Sequence, residues 1–133
     1  MANNTVVYGS GIPTMGVIPI TITLAGGISA HRMILSTGAN YCGSGTPASD
    51  LCAGISINAV SSTQVTNSQN TTNLAVAGIA LIECAGALAA YVQVQCDSVG
   101  RATTYSSGIV RGKLLAAALG AGDVVPMLIN PVG

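Results

Sequence analysis

A period of two in the apolar residues dominates this chain and predicts β-strands. Between residues 17 and 24 every second position is Ile or Leu, and the positions between them carry Pro19 and two threonines. Residues 91–97 alternate more clearly still, with two valines and Cys96 on one side and Tyr, Gln and Asp on the other. Apolar residues at every second position are typical of half-buried strands. Because proline has no N–H to donate, Pro19 indicates a sheet edge or the start of a strand.

Shorter apolar segments between turn residues predict the remaining strands. They cover residues 30–35, 51–60, 75–84 and 124–129, with the Gly-rich segment 38–50 as a loop. Residues 75–84 are apolar on both faces, as expected for a strand that is covered on two sides. We predict that this strand forms a hairpin with residues 91–97, because both segments have an apolar period of two. In the last strand, Pro126 again indicates an edge.

Two segments depart from the strand pattern. Residues 61–73 carry Val65 as their only apolar side chain, which favours an exposed loop over a strand laid against a neighbouring subunit. Residues 113–119 form the one convincing helical segment, and Gly120 follows it at the position of a C-cap. The predicted fold is therefore mainly β, a compact sandwich or barrel-like domain with one short helix near the C-terminus.

The scarcity of charge limits the functions that this chain can have. Four basic and four acidic residues are the only charged side chains among 133 residues, and half of the chain is apolar. The basic residues form no patch for nucleic acid. The single histidine, His31, lies in no acid, base or nucleophile motif, so we expect neither an enzyme nor a cofactor. A surface with so little charge must be covered by uncharged polar groups or by other copies, which indicates an assembly component.

A membrane-spanning or pilin-like subunit is a weaker alternative. Residues 74–92 are interrupted by one charge, Glu83, and are about long enough to cross a bilayer. Two glycines, a carboxylate near the middle and the lack of a basic flank argue against insertion. We therefore expect no membrane partner.

The four cysteines show no metal-binding spacing. Cys42 and Cys52 bracket a loop that a disulfide could close, but spacing alone leaves three full pairings, and free thiols, open. Cys84 and Cys96 lie in apolar strand patterns and are expected to be buried as small hydrophobic residues. A zinc site would require the thiols to converge, and the spacing predicts none.

The C-terminal part of the chain resembles a known family. The resemblance rests on the order of six short segments, which span residues 76–83, 86–88, 92–97, 100–102, 111–118 and 122–128, and more loosely on residues 26–33. In this order they resemble the capsid decoration, or cement, proteins of tailed bacteriophages, which end with a G-D-x-V stretch leading into the last strand. Gly122–Val125 matches that stretch.

The resemblance implies a structural protein of the virion, on the capsid surface. Such proteins are commonly homotrimers at three-fold positions of the icosahedral head, where they bind the major capsid protein and stabilise the shell. It also implies a single β-rich decoration domain, which we place at residues 17–133. The preceding residues 1–16 have no helix pattern. They could form an N-terminal arm that pairs with a capsid strand by edge addition, with a frayed terminus as the alternative. The expected capsid-binding residues in the arm are Thr5, Val6, Val7, Tyr8 and Ile12.

A carbohydrate-binding adhesin or fibre module of a phage particle is the alternative from another functional class. The Asn-, Thr- and Gln-rich segments would suit polar contacts with a glycan. However, sugar sites favour aromatic platforms, and the chain has four tyrosines but no Trp or Phe.

Overall fold

The structure is a computed structural model that describes residues 15–43 and 52–130, and the described chain is mainly β. Its elements are β1 (Met15–Thr21), β2 (Gly27–Ile28), β3 (Met33–Leu35), β4 (Cys52–Ser56), β5 (Val60–Ser61), α1 (Ser62–Thr66), β6 (Thr71–Glu83), β7 (Gln93–Cys96), β8 (Ala102–Thr104), β9 (Gly112–Leu114) and β10 (Val124–Ile129). Eight of these strands form one sheet, while β2 and β5 form a separate ribbon. The mainly β prediction is confirmed.

The thirteen-residue strand β6 organises the sheet. Its first half pairs with β1 along residues 71–78, and its second half pairs with β10 along residues 79–83. The change of partner falls at Gly78, whose φ of 84° is a left-handed conformation that glycine adopts without steric cost. A bend at this position lets one strand serve two parts of the sheet.

The C-terminal part of the sheet curls until it nearly closes. The strands follow the order β6, β10, β9, β7, β8, and Ala102 of β8 then forms an isolated parallel bridge with Cys84, the residue after β6. The Ala85 N–H also donates to the Ala102 carbonyl, at 2.9 Å. This contact protects an edge that an open sheet would expose. The result is a half-barrel that surrounds a core.

Two apolar clusters lie on opposite sides of the N-terminal part of the sheet. The larger fills the half-barrel and includes Ile82, Val94, Leu114 and Met127. The smaller lies beneath the β2–β5 ribbon and consists of Ile22, Ile28, Ile34, Val60 and Leu74. Because successive strand residues point to opposite faces, neighbours such as Leu74 and Ala75 enter different clusters. This explains why the first half of β6 is apolar on both faces.

The helix is not where the sequence predicted it. Lys113 and Leu114 end strand β9, and Leu114 is buried against Met127 of β10, so tertiary pairing overrides the local helix preference of residues 113–119. The helix is α1 instead, inside the segment expected to be a loop. Ser61 caps it, and Gln64 completes a capping box with the Ser61 backbone.

Two strand-pairing predictions are also wrong. β6 and β7 do not form a hairpin, because β6 pairs with β10 while β7 lies between β8 and β9. Pro126 is not at an edge, since β10 has neighbours on both sides. The Pro126 carbonyl accepts a hydrogen bond from the N–H of Leu115, the residue just after β9 ends. Proline lacks an N–H, and Pro126 lies at the end of the β9–β10 pairing, where no further N–H is needed.

The expectation from Pro19 holds, because β1 pairs with β6 alone among the described strands. Met15 and Gly16, which the sequence analysis placed in the N-terminal arm, belong to β1. The predicted capsid-binding residues at positions 5–8 and 12 lie outside the described residues. In the described ranges, no helix is long and apolar enough to cross a membrane.

Candidate interaction surface

The outward side of the β6–β10 pair carries a row of exposed apolar residues. Ile79 and Leu81 are 40% and 48% exposed, and Val124 and Leu128 are 42% and 46% exposed. Pro126 lies between the last two. We call these five residues the apolar face. The exposed fractions amount to roughly 300 Å² of apolar surface, a size at which patches on monomers are often functional.

The strand register explains why these side chains form one surface. Leu128 pairs with Ile79, and Pro126 pairs with Leu81, so both pairs project to the same side. The residues between them point the other way: Ile82 and Met127 are buried in the half-barrel core. The apolar face is thus the outer side of a sheet whose inner side is already packed.

Charge is almost absent from the apolar face and is confined to its ends. At one end, Val124 pairs with Glu83, whose carboxylate accepts two hydrogen bonds from Arg32, at 3.1 and 3.3 Å. At the other end, Leu128 pairs with Lys113. Among the described residues, Lys113 is the only charged residue that is largely exposed to solvent. Because little charge has to be dehydrated, burying this surface costs little.

A shallow cavity of about 180 Å³ lies beside the apolar face, lined by His31, Ile57, Ile79, Ala80 and Leu81. His31 has a φ of 64°, which is uncommon for a residue other than glycine. Its backbone is held on two sides, because its N–H donates to the Ser56 carbonyl and its carbonyl accepts from Glu83. His31 therefore shapes this cavity, and it forms no acid–base pair with another described side chain.

The structure contains the disulfide that the sequence left open, and it adds a sulfur contact that the spacing did not suggest. Cys42 and Cys52 are joined in a disulfide, with their Cα atoms 5.4 Å apart. The Cys96 thiol donates to the Cys42 sulfur at 3.6 Å, so three of the four sulfur atoms converge. Cys84 is buried elsewhere in the half-barrel core, as expected. Burial raises the pKa of the Cys84 thiol, and the nearby carboxylates of Asp123 and Glu83 raise it further.

The sequence analysis missed both the apolar face and the sulfur cluster. Leu81 was predicted to be covered, because a strand that is apolar on both sides usually lies inside a layered fold. Nothing in the spacing of Cys42 and Cys96 links them, since their contact depends on how β7 returns beside the segment after β3. The capping box at Ser61 and Gln64 was missed as well, although its S-x-x-Q pattern is present in the sequence.

Comparison with known proteins adds no family assignment: the chain matches no protein-family model and no curated protein.

Proposed function

We propose that this chain is a structural virion protein that binds the outer surface of an icosahedral phage head and stabilises the shell. The apolar face is the observation that carries the proposal, because it would let copies of this chain assemble into the oligomer that such a protein forms. A surface with five apolar residues and charge only at its margins suits a contact with another protein.

We assign the apolar face to contacts between copies of this chain in a homotrimer. Contacts in a three-fold ring are head-to-tail, so the apolar face of each copy is buried against a second surface of the next copy. The N-terminal arm is assigned to the major capsid protein. Three arms on one trimer would multiply a weak contact, so a single arm need not bind tightly. A trimer that binds only the assembled shell stabilises that shell by mass action.

The arm enters the described domain at Met15, which pairs with Gly78, next to Ile79 of the apolar face. The experiment therefore compares the full chain with a variant lacking residues 2–14, a deletion that leaves β1 intact. Each protein is mixed with purified heads that lack it, and binding is measured by co-sedimentation. We expect the full chain to bind and the deletion variant to bind at least about tenfold more weakly, since the contacts of all three arms are lost.

Cryo-electron microscopy of the same heads gives the position of the bound protein. Extra density at three-fold positions, present with the full chain and absent without it, is the expected result. Failure of the full chain to bind any head, or its absence from particles purified from the natural source, would rule out the decoration function. Equal binding by the deletion variant would refute only the role of the arm.

A further inference from the structure

Three cysteine sulfur atoms converge at the junction between the two parts of the sheet. The sulfur atoms of Cys42, Cys52 and Cys96 all lie within 4.8 Å of one another. Cys42 and Cys96 are fully buried, whereas Cys52, the first residue of β4, is half-buried. The described structure holds Cys42 and Cys52 as a disulfide, with Cys96 as a third sulfur beside it.

The backbone fixes this arrangement from two sides. The Cys42 N–H donates to the Met33 carbonyl at 2.9 Å. The next residue, Gly43, has a φ of 85° and packs so closely on the Asp97 carbonyl that a Cβ would not fit. Asp97 in turn accepts hydrogen bonds from the Val99 and Arg101 N–H groups, at 3.0 and 2.8 Å. These contacts hold Cys42 and Gly43 against the turn that follows Cys96.

We propose that, when the disulfide is reduced, Cys42, Cys52 and Cys96 form a binding site for one thiophilic d¹⁰ metal ion. Metal–sulfur bonds of about 2.3 Å place two thiolates in one coordination sphere about 3.8–4.0 Å apart. The Cys42–Cys96 distance of 3.6 Å is already close to that value. Breaking the disulfide lets the bonded pair separate, and all three sulfur atoms already lie within 4.8 Å of one another.

The reaction balances with a phosphine or thiol reductant. The reductant supplies two electrons, and two protons from water complete the Cys42 and Cys52 thiols. Binding of the ion then releases the protons of the coordinating thiols to solvent, since thiolates are the ligands. Three sulfur donors suit a soft ion such as Cu(I), Zn²⁺ or Cd²⁺ better than Mg²⁺ or Ca²⁺, which prefer oxygen.

A cavity of about 190 Å³ reaches this cluster and is lined partly by soft donors. Its lining residues include Cys52, Met33 and Met127. Thioether sulfur also favours soft metals, so an ion entering here meets compatible groups first. Arg111 borders the same cavity, and its positive charge would offset the net negative charge of a divalent ion with three thiolates.

The test titrates the full chain with Cd²⁺, a redox-inert probe, after reduction by a phosphine. We expect thiolate-to-metal charge-transfer absorption that saturates at one Cd²⁺ per chain, and native mass spectrometry should show the same stoichiometry. The oxidised protein should show no such absorption, because the disulfide removes two ligands. Cys96→Ala should weaken Cd²⁺ binding by at least about tenfold.

Cys84→Ala is the matched control, because Cys84 is equally buried but lies outside the cluster. It should bind Cd²⁺ like the unchanged protein. Circular dichroism of each reduced form checks the fold, and oxidised Cys96→Ala keeps the disulfide as a folded reference. Reduced protein that gives no charge-transfer absorption, or that is unfolded and not refolded by Cd²⁺, would overturn the proposal. Unchanged binding by Cys96→Ala, or lost binding by Cys84→Ala, would overturn it as well.

Discussion

The substitution Leu81→Ser tests whether the apolar face joins copies of this chain. Leu81 is 48% exposed, so about half of its side chain remains to be buried by a partner. Complete burial of a leucine side chain contributes about 1.5–3 kcal/mol, and half of that is about 1 kcal/mol for each copy. A trimer contains three copies, so the substitution should cost about 3 kcal/mol of assembly free energy, roughly a hundredfold in the trimer association constant.

Analytical ultracentrifugation over a range of protein concentrations measures this effect. We expect the unchanged protein to sediment as a trimer at concentrations where Leu81→Ser is mainly monomeric. Denaturant unfolding of the monomeric form should change by no more than about 1 kcal/mol, because Leu81 is only half-buried within its own subunit. The variant thus separates assembly from folding.

Leu119→Ser is the matched control for this experiment. Leu119 is 87% exposed and lies outside the apolar face, so its replacement should leave the trimer unchanged. If the unchanged protein is a monomer at all accessible concentrations, the assignment of the apolar face to self-association is refuted. It is also refuted if Leu81→Ser and Leu119→Ser assemble equally well.

Three further predictions concern stability and thiol chemistry. Gly112→Ala should lower the free energy of unfolding by about 2 kcal/mol, because a Cβ there would lie 2.5 Å from a carbonyl oxygen of β10 and 2.7 Å from a methionine sulfur. Gly86→Ala, which meets nothing within 4 Å, is its control, and a similar loss in both variants would contradict the steric reasoning. Replacing Cys42 and Cys52 together by alanine should lower the free energy of unfolding by about 3 kcal/mol, because the disulfide restricts the unfolded chain by closing the loop between them. Urea unfolding measures this loss, and an unchanged midpoint would contradict the prediction. Because the pKa of the Cys84 thiol is raised in the folded state, the unfolded thiol ionises first as pH rises above the ordinary value of 9.0. The stability that the Cys84 thiol contributes is therefore complete below this pH and is lost as pH rises toward the folded pKa. Cys84→Ala should flatten the dependence of the free energy of unfolding on pH, and equal slopes in the two proteins would refute this reasoning.

The outcome for β6 and β9 shows what local patterns can establish. The apolar segment 75–84 correctly identified a strand, because an extended backbone places successive side chains on opposite faces whatever the partner strand. The same pattern could not identify that partner, and the hairpin prediction failed. Residues 113–119 have a local preference for helix, but the burial of Leu114 in the half-barrel core outweighs it.

The candidate sites depended on contacts that are distant in sequence. Cys42 and Cys96 are 54 residues apart, and only the return of β7 brings their sulfur atoms together. The apolar face likewise requires β10 to pair with β6, although 40 residues lie between the end of β6 at Glu83 and the start of β10 at Val124. Neither arrangement has a local periodicity by which it could have been predicted.

The sequence by itself determined that this protein is built mainly of β-strands, that it has little charge with which to build a catalytic site, and that a disulfide could close the segment between Cys42 and Cys52. The tertiary structure alone decided which strands pair, which apolar residues remain outside, and which sulfur atoms meet. The physical reason is that alternation is a property of each extended segment, whereas pairing and burial depend on contacts between segments far apart along the chain.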